Sequence, residues 1–499
     1  MSFTQQLAKI KDAGRAIMVV GLGVSGVETA RFLARSGHRV VIAERQSRQS
    51  FCATSKFAAE LPGLSELNVE LHFGVDGEQI TEYLQNVALA VVSPGVALNS
   101  KVVSAIVQRN VPYVSELELG VELHGGRAVV VTGSNGKSTT VSLVHHMLCE
   151  AGIASYLCGN VGTPVIANRE LLSPSSQRST LVVEASSYQL EACTVLKPAV
   201  SVLLNLSENH LERHGSLDNY AAAKGQAFTL QSADDVAIAN ADDALVMAQA
   251  RRSRGRLAVF GEKSINDLQS IASEWAAISY ASAPHGVLTV CFAGKQYEFD
   301  TSASKLLGPH NRYNMAAAVL AALSIGVAPE SIQASLLSFI PLEHRLEVVH
   351  RDDKRLVIND SKSTTVAAAV AALTTIRQQF PHHRLVLMIG GYSKAGSWEP
   401  LTARLQELGA SALLPVVCFG KDGELLAGFC TAAGVRCVVA PTMREGTLAA
   451  LQAVADEERA IVLLTPGCAS FDEFTDFEDR GAHFKRYVAD IASVRTTGT

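Results

Sequence analysis

Val129-Val130-Val131-Thr132-Gly133-Ser134-Asn135-Gly136-Lys137-Ser138-Thr139 is the stretch on which the reading of this chain turns. A β-branched run enters a Gly-rich turn, and the apolar Val141, Val144 and Leu148 that follow sit at helical spacing. Strand, glycine turn and helix in this order make a phosphate loop. Backbone N–H groups at the helix start face the anion, a lysine adds a point charge, and a hydroxyl can ligate Mg²⁺. Gly133, Ser134, Asn135, Gly136, Lys137, Ser138 and Thr139 are therefore the candidate phosphate-binding residues. The strict G-x-x-x-x-G-K-[ST] pattern is broken, because Val131 stands where the first glycine belongs. A plain βα turn with an incidental lysine is the bland alternative.

Outward from this loop, short apolar runs alternate with helical patterns. Ala16–Val20, Arg39–Ala43, Ala88–Ser93 and Pro112–Ser115 read as strands of a first series, with a helix over Gly26–Ser36. Arg127–Thr132, Leu181–Glu184, Val200–Asn205 and Val236–Asn240 form a second series. Arg384–Ile389, Val416–Gly420, Arg436–Ala440 and Ile461–Thr465 form a third. This alternation predicts α/β domains with parallel sheets covered on both faces. The expected division is 1–120, 121–341 and 342–499: a Rossmann-like domain, a central phosphate-loop domain, and a second Rossmann-like domain. Residues 45–66 read as an irregular loop or insertion. Residues 251–306 are weakly periodic apart from a hairpin, Gly286–Cys291 with Gln296–Thr301, around Ala293-Gly294-Lys295.

At 499 residues the chain suits about three domains, and 48% hydrophobic with 18% charged residues suits globular ones. A net charge of -5 argues against nucleic acid, and leaves anionic substrates to be held by local cations. No apolar run reaches membrane-spanning length, and Met1 to Arg15 lacks the apolar centre of a signal peptide. Nine scattered cysteines without a CxxC pair suit a reducing compartment. The expectation is a cytoplasmic, monomeric protein with no membrane insertion.

A second glycine loop, Gly21-Leu22-Gly23-Val24-Ser25-Gly26, follows a strand and opens a helix, and Glu44 ends the next strand. Alone it is a dinucleotide fingerprint, which keeps a nicotinamide-dependent oxidoreductase open; the common denominator is a nucleotide diphosphate. Glu184 ends a strand at the edge where open α/β sheets bind ligands, a position suited to Mg²⁺. His210 and His214 are four apart, but Leu-Glu-Arg between them is not the zinc-helix order. Composition makes Lys224 a solvated helix residue.

Taken together, the motifs resemble those of the Mur ligases. The resemblance is carried by Thr132–Thr139, Glu184-Ala185-Ser186-Ser187, Asn209-His210, Ala223-Lys224, His310-Asn311-Arg312-Tyr313-Asn314, His344-Arg345-Leu346-Glu347 and Asn359-Asp360-Ser361-Lys362-Ser363-Thr364. Gly390-Gly391-Tyr392-Ser393-Lys394 and Pro466–Phe474, leading to Phe477, bring the chain nearest to the members that add D-glutamate. The set runs from about residue 16 to about 490 in the family's order.

The resemblance implies three domains binding UDP, ATP and an amino acid, and it assigns the first glycine loop to UDP. It implies that ATP phosphorylates the terminal carboxylate of UDP-MurNAc-L-Ala, and that D-glutamate attacks the acyl phosphate. Lys137 would hold the phosphates. Ser138 and Glu184 would hold one Mg²⁺, and His210 with Lys224 a second. For that, Lys224 must carry a carbamate, since an ammonium ligates no metal. Asn311 and Asn314 would lie on the adenine side, Arg345 at the phosphates and Asp360 at the ribose. Lys362, Thr364, Lys394, Ser470 and Phe477 would bind glutamate, with Lys362 also counted among the catalytic groups. Gly23, Val24, Ser25, Glu44, Arg45, Asn160 and Ser186 would hold the UDP-muropeptide.

The chain departs from the family pattern at several points. Gly-Thr-Asn-Gly-Lys reads Gly133-Ser134-Asn135-Gly136-Lys137, Gly-Gly-Asp-Gly-Lys reads Gly390-Gly391-Tyr392-Ser393-Lys394, and Asp-Ser-Lys-Ala-Thr-Asn reads Asp360-Ser361-Lys362-Ser363-Thr364-Thr365. The last two lie beside the expected glutamate pocket and leave, as the alternative, a related muropeptide ligase adding L-glutamate or another amino acid. The chain is also longer than a typical member, mainly in 45–66 and 251–306.

Overall fold

The computed structural model describes residues 3–167, 179–272, 276–279, 286–306, 308–393 and 396–496. The chain forms two compact units, Met1–Ser304 with His310–Phe339, and Lys305–Pro309 with Ile340–Thr499. No described helix is long and apolar enough to cross a membrane.

The first unit contains two sheets. β1 (Ala16–Val20), β2 (Arg39–Glu44), β3 (Glu70–Phe73), β4 (Val87–Val92) and β5 (Tyr113–Ser115) pair in parallel in the order β3-β2-β1-β4-β5. Alternate residues bury opposite faces. Ile17, Val19, Ile42 and Val91 join Leu33 in one core, while Met18, Val20, Val41 and Ala90 join Ile106 in the other. A strand covered on both sides has no room for polar alternation, hence the continuous apolar runs. Gly21 has φ +90°, and a Cβ on Gly26 would collide with the Gly21 carbonyl, so this turn requires glycine at both positions.

The second sheet contains β6 (Arg127–Thr132), β7 (Ser155–Gly159), β8 (Thr180–Glu184), β9 (Val200–Leu203), β10 (Val236–Asn240), β11 (Arg256–Gly261), β12 (Ala276–Ser279), β13 (Val287–Phe292) and β14 (Lys295–Asp300). Their order is β14-β13-β12-β11-β10-β9-β6-β8-β7. The hairpin forms with its turn at Ala293 (φ +50°) and Gly294 (φ +76°), the two consecutive left-handed positions of a tight two-residue connection. The second unit holds β15 (Glu347–Arg351), β16 (Arg355–Asn359), β17 (Arg384–Gly390), β18 (Val416–Phe419), β19 (Cys437–Ala440) and β20 (Ala460–Gly467), ordered β15-β16-β20-β17-β18-β19 with β15 antiparallel.

Three expectations need correcting. Residues 45–66 are helical: Arg48–Thr54, a 3₁₀ turn at Lys56–Glu60, and Leu61–Glu66. Short polar caps at Ser47 and Ser55 start the first two, and only Phe51, Leu61 and Leu64 of these segments are buried, too few for a visible period. Residues 251–306 extend the second sheet through β11 and β12. The strand expected to reach Asn205 stops at Leu203, because the backbone beyond it bonds to the phosphate loop.

Helix Glu116–His124 follows β5 and leads into β6. Ser115 caps it, accepting from Glu118 N at 3.0 Å. Glu118 Oε1 accepts backbone N–H bonds from Thr194 (2.5 Å), Val195 and Leu196 (2.8 Å), and Glu116 Oε1 accepts from Ile166 (3.0 Å). Burial raises both carboxyls to about 7 despite these donors, which favour the ionised form. The fold therefore holds protons that the unfolded chain gives up near its ordinary carboxyl pKa. That contribution is present at low pH and is lost as pH rises through 7. Between pH 6 and 8, wild type should lose about 1 kcal/mol more stability than Glu118→Gln. Denaturant titrations at both pH values check this; equal losses would contradict it.

Candidate active site

The phosphate loop forms where the sequence places it. β6 ends at Thr132, Gly133 (φ +150°) and Gly136 (φ +85°) turn the chain, and helix Lys137–Glu150 begins. The loop is clamped by the segment after β9. Ser134 N donates to Asn205 O at 2.9 Å, Asn135 N to Asn205 Oδ1 at 2.8 Å, and Ser207 N to Ser134 Oγ at 2.9 Å. Lys137 Nζ donates to the carbonyls of Gly133 and Ser134 at 2.9 and 3.0 Å. Ser138 and Thr139 are buried in the first helical turn. Asn314 Nδ2 donates to Asn311 Oδ1 at 2.8 Å, and a Cβ on Gly136 would strike Asn314 Oδ1. The structure thus brings Asn314 against the loop, with Asn311 bonded to it.

Glu184 lies beside the loop through strand register: β8 pairs with β6 so that Glu184 opposes Val131. The carboxylate is 2% exposed. Oε1 accepts from Asn160 Nδ2 at 2.9 Å, and Oε2 has no hydrogen-bond partner among the described residues. Lys224 is the largest departure from composition, being 2% exposed instead of solvated. Its Nζ donates to Gly133 O at 2.9 Å and Thr132 Oγ1 at 3.3 Å, and lies 4.7 Å from the Tyr220 ring centroid. Burial and then the Lys137 charge lower its pKa to about 6, against the opposing pull of Glu184. At neutral pH it is an amine.

A cavity of about 790 Å³ joins the two glycine loops within the first unit. Gly23, Val24, Ser25, Glu44 and Arg45 line one end, and Lys137, Asn160, Ser186, His210 and Lys224 line the other. Glu44 is committed to the loop itself: Oε2 accepts from Leu22 N and Oε1 from Gln46 N, both at 2.9 Å. His210 adopts φ +54° and is exposed. His214 is buried and paired with Ser187 Oγ at 3.0 Å, so the two histidines occupy different environments. Sequence reasoning missed Ser93, Pro94, Val96, Tyr188 and Tyr220, which also line the cavity. The first three follow β4, which neighbours β1 where the strand order reverses, and that switch point was the available signal.

In the second unit, Asp360 follows β16 and accepts from Leu346 N (3.2 Å) and Thr465 Oγ1 (3.0 Å); burial raises it to about 7. Arg345 is half-buried one residue before Leu346. Lys362 Nζ lies 3.7 Å from the Phe477 ring centroid, and Ser361 Oγ donates to Phe477 O at 2.9 Å. Ser470 is buried and Thr364 half-buried. Lys394 lies outside the described residues. Arg480, missed in the sequence, is fully buried beneath this edge, donating to Ser361 O, Ser361 Oγ and Cys468 O at 2.8–3.0 Å.

A phosphate loop, a neighbouring buried carboxylate and a nucleotide-type switch point opening on one cavity define an NTP-using α/β enzyme architecture. Family models match in three segments: the Mur ligase MurD-like N-terminal domain (15–115), the Mur ligase middle domain (131–322), and the Mur ligase glutamate ligase domain (344–468). The chain belongs to the Mur ligase family. It is 34% identical over 485 residues to a UDP-N-acetylmuramoylalanine--D-glutamate ligase of Pelotomaculum thermopropionicum, covering 97% of this chain and 99% of that one. The same identity holds over 478 residues with the ligase of that name from Acidobacterium capsulatum, covering 95% and 96%. The fold is similar to the crystal structure of UDP-N-acetylmuramate-alanine ligase MurC from Thermotoga maritima, with TM-score 0.55 and 17% identity over 95% of this chain and 100% of that one.

Because Gly136 combines a left-handed φ with contact against Asn314, Gly136→Ala should distort the loop. Binding of a fluorescent ATP analogue should weaken about five- to a hundredfold, since one misplaced loop amide costs roughly 1–3 kcal/mol. Unchanged binding would contradict the assignment of this turn to phosphate.

Proposed function

We propose that this protein joins D-glutamate to UDP-N-acetylmuramoyl-L-alanine at the expense of ATP, through an acyl phosphate, in peptidoglycan precursor synthesis. The observation that carries the reading is the single cavity running from the Gly21–Ser25 loop to Lys137, His210 and Lys224. A UDP-linked carboxylate bound along it would have its nucleotide on the first sheet and its reacting end at the phosphate loop. We divide the chain accordingly into 1–120, 121–341 and 342–499, for the UDP-linked substrate, ATP and the amino acid. On this reading the protein works as a monomer in the cytoplasm.

A carboxylate and a triphosphate repel each other, so the site must neutralise charge before phosphoryl transfer. Lys137 and the loop amides would hold the ATP phosphates, with Asn311 and Asn314 supporting the turn on the nucleotide side. Magnesium suits the buried Oε2 of Glu184, with the Ser138 hydroxyl as a second protein oxygen, since it takes one or two such ligands and otherwise phosphate and water. His210 and a carboxylated Lys224 would hold a second ion. When bound, magnesium offsets the charge that accumulates on the transferring phosphoryl group. Asn160, tied to Glu184, and Ser186 would orient the carboxylate. By the family resemblance, Arg345 would contact the ATP phosphates and Asp360 the ribose. Lys362, Thr364, Lys394, Ser470 and the Phe477 backbone would bind the two glutamate carboxylates, leaving its amine to attack the acyl carbon. The acyl C–O bond then breaks and phosphate leaves.

The lowered pKa of Lys224 supports its carboxylation, because CO₂ adds only to the neutral amine. Turnover should therefore fall in CO₂-depleted buffer and return on adding bicarbonate, while Lys224→Ala stays inactive under both conditions. Turnover indifferent to CO₂ would remove the carbamate. The reaction itself is read by phosphate release with ATP, Mg²⁺ and UDP-MurNAc-L-Ala, comparing D-glutamate, L-glutamate and no amino acid. Release should require D-glutamate and be lost in Lys137→Ala. Dependence on L-glutamate would keep the chemistry and reassign the acceptor, pointing to Tyr392, which is exposed with Lys421 Nζ 4.7 Å from its ring centroid.

A further inference from the structure

Arg213 stands three residues after His210 and outside the cavity lining, yet it touches both walls. Its backbone N–H donates to His210 O at 3.1 Å, within the turn that sets the His210 ring. Its guanidinium binds Glu191 through Nε (3.0 Å) and Nη2, and lies 5.0 Å from the Tyr188 ring centroid. The same Nη2 donates to the carbonyls of Val96 at 2.8 Å and Pro94 at 3.4 Å. Those carbonyls belong to the loop after β4 of the first sheet. That loop supports the nucleotide turn directly: Ser93 Oγ donates to Gly21 O at 3.1 Å, and Val96 Cγ2 is so close that a Cβ on Gly21 would come within 3.0 Å of it. A continuous chain of contacts therefore runs from Gly21 through Val96 and Arg213 to His210.

The side chains of this link are mostly withdrawn from water, Arg213 being 16% and Glu191 14% exposed. Glu191 Oε2 also lies 3.5 Å from His214 Nδ1, and the other nitrogen of that ring pairs with Ser187 Oγ. The fork of donors is the feature used here: one face is spent on a carboxylate and one donor on two carbonyls. A lysine ammonium cannot reproduce that planar geometry.

We propose that Arg213 is a positioning residue that fixes the register between the nucleotide loop of the first sheet and the His210 turn of the second. A UDP-linked acceptor is then presented with its terminal carboxylate at the phosphate loop. The inference rests on the reading of the cavity given above. A ligand gripped at both ends behaves as a bivalent one, and its affinity depends on the two half-sites being held at the right separation. UDP alone touches only one end.

The test compares calorimetric affinities for UDP and for UDP-MurNAc-L-Ala, with kcat, in wild type, Arg213→Ala and Arg213→Lys. In Arg213→Ala, UDP affinity should stay within about twofold of wild type. Affinity for the full substrate and kcat should each fall about ten- to a hundredfold. Arg213→Lys, which keeps the charge against Glu191, should lie between and secures the comparison if the alanine variant does not fold. The ratio of the two affinities does not depend on the fraction of folded protein, so mere destabilisation leaves it unmoved. An unchanged ratio and unchanged kcat, or parallel loss of both affinities, would overturn the proposal. Wild type without D-glutamate turnover would instead sink the reaction assignment, while the affinity ratio would still report on Arg213.

Discussion

The phosphate edge depends on the parallel pairing of β6 with β8 on one side and β9 on the other. Parallel strands end together, so Thr132, Glu184 and Leu203 deliver three loops to one edge of the sheet. The pairing is continued by hydrogen bonds beyond the strands: Ala185 N to Val131 O at 2.9 Å, Thr132 Oγ1 to Ala185 O at 2.8 Å, and Leu204 N to Thr132 O at 3.1 Å. A slip of one residue in the β6–β8 pairing would turn Glu184 to the opposite face of the sheet. The bonds of Thr132 Oγ1 to Ala185 O and of Asn160 Nδ2 to Glu184 Oε1 tie that register at its polar end.

The same edge explains the buried lysine. Lys224 comes from helix Leu217–Gly225, with Ala221, Ala223 and Gly225 packed around it, and reaches the Gly133 carbonyl from below the loop. Burying an ammonium without a carboxylate partner is costly, and the fold avoids that cost by releasing the proton. The glycine loop of the first sheet is fixed in a complementary way. Glu44 is an acceptor for two backbone N–H groups, so this carboxylate shapes the turn as well as facing the cavity.

Much of this was legible in the sequence, and for identifiable reasons. Strands with continuous apolar runs, such as Ala16–Val20 and Arg127–Thr132, declared themselves because both faces are buried. The glycine loops were legible because Gly21, Gly133 and Gly136 take left-handed φ values. Three edge strands were not legible: β3 carries the exposed Glu70, β7 the exposed Tyr156, and β15 contains His350 between partly exposed neighbours. In the site, local motif context marked Lys137 and Glu184 as candidates and the family resemblance marked His210, but nothing local distinguishes Lys224 from any helical lysine. Arg213, Tyr188 and the Ser93–Val96 loop act through contacts between distant segments, which residue spacing does not encode. Arg480 reads as a surface cation in its helix and is buried only because β16 and β20 close over it.

The central claim is that the cavity places a nucleotide-linked carboxylate where the phosphate loop can activate it. Substrate carrying ¹⁸O in its terminal carboxylate, turned over with ATP and D-glutamate, tests that claim most directly, with the released phosphate analysed by mass spectrometry. The account predicts one labelled oxygen in phosphate for each amide formed, because the acyl C–O bond is the one that breaks. Amide formation accompanied by unlabelled phosphate would contradict it.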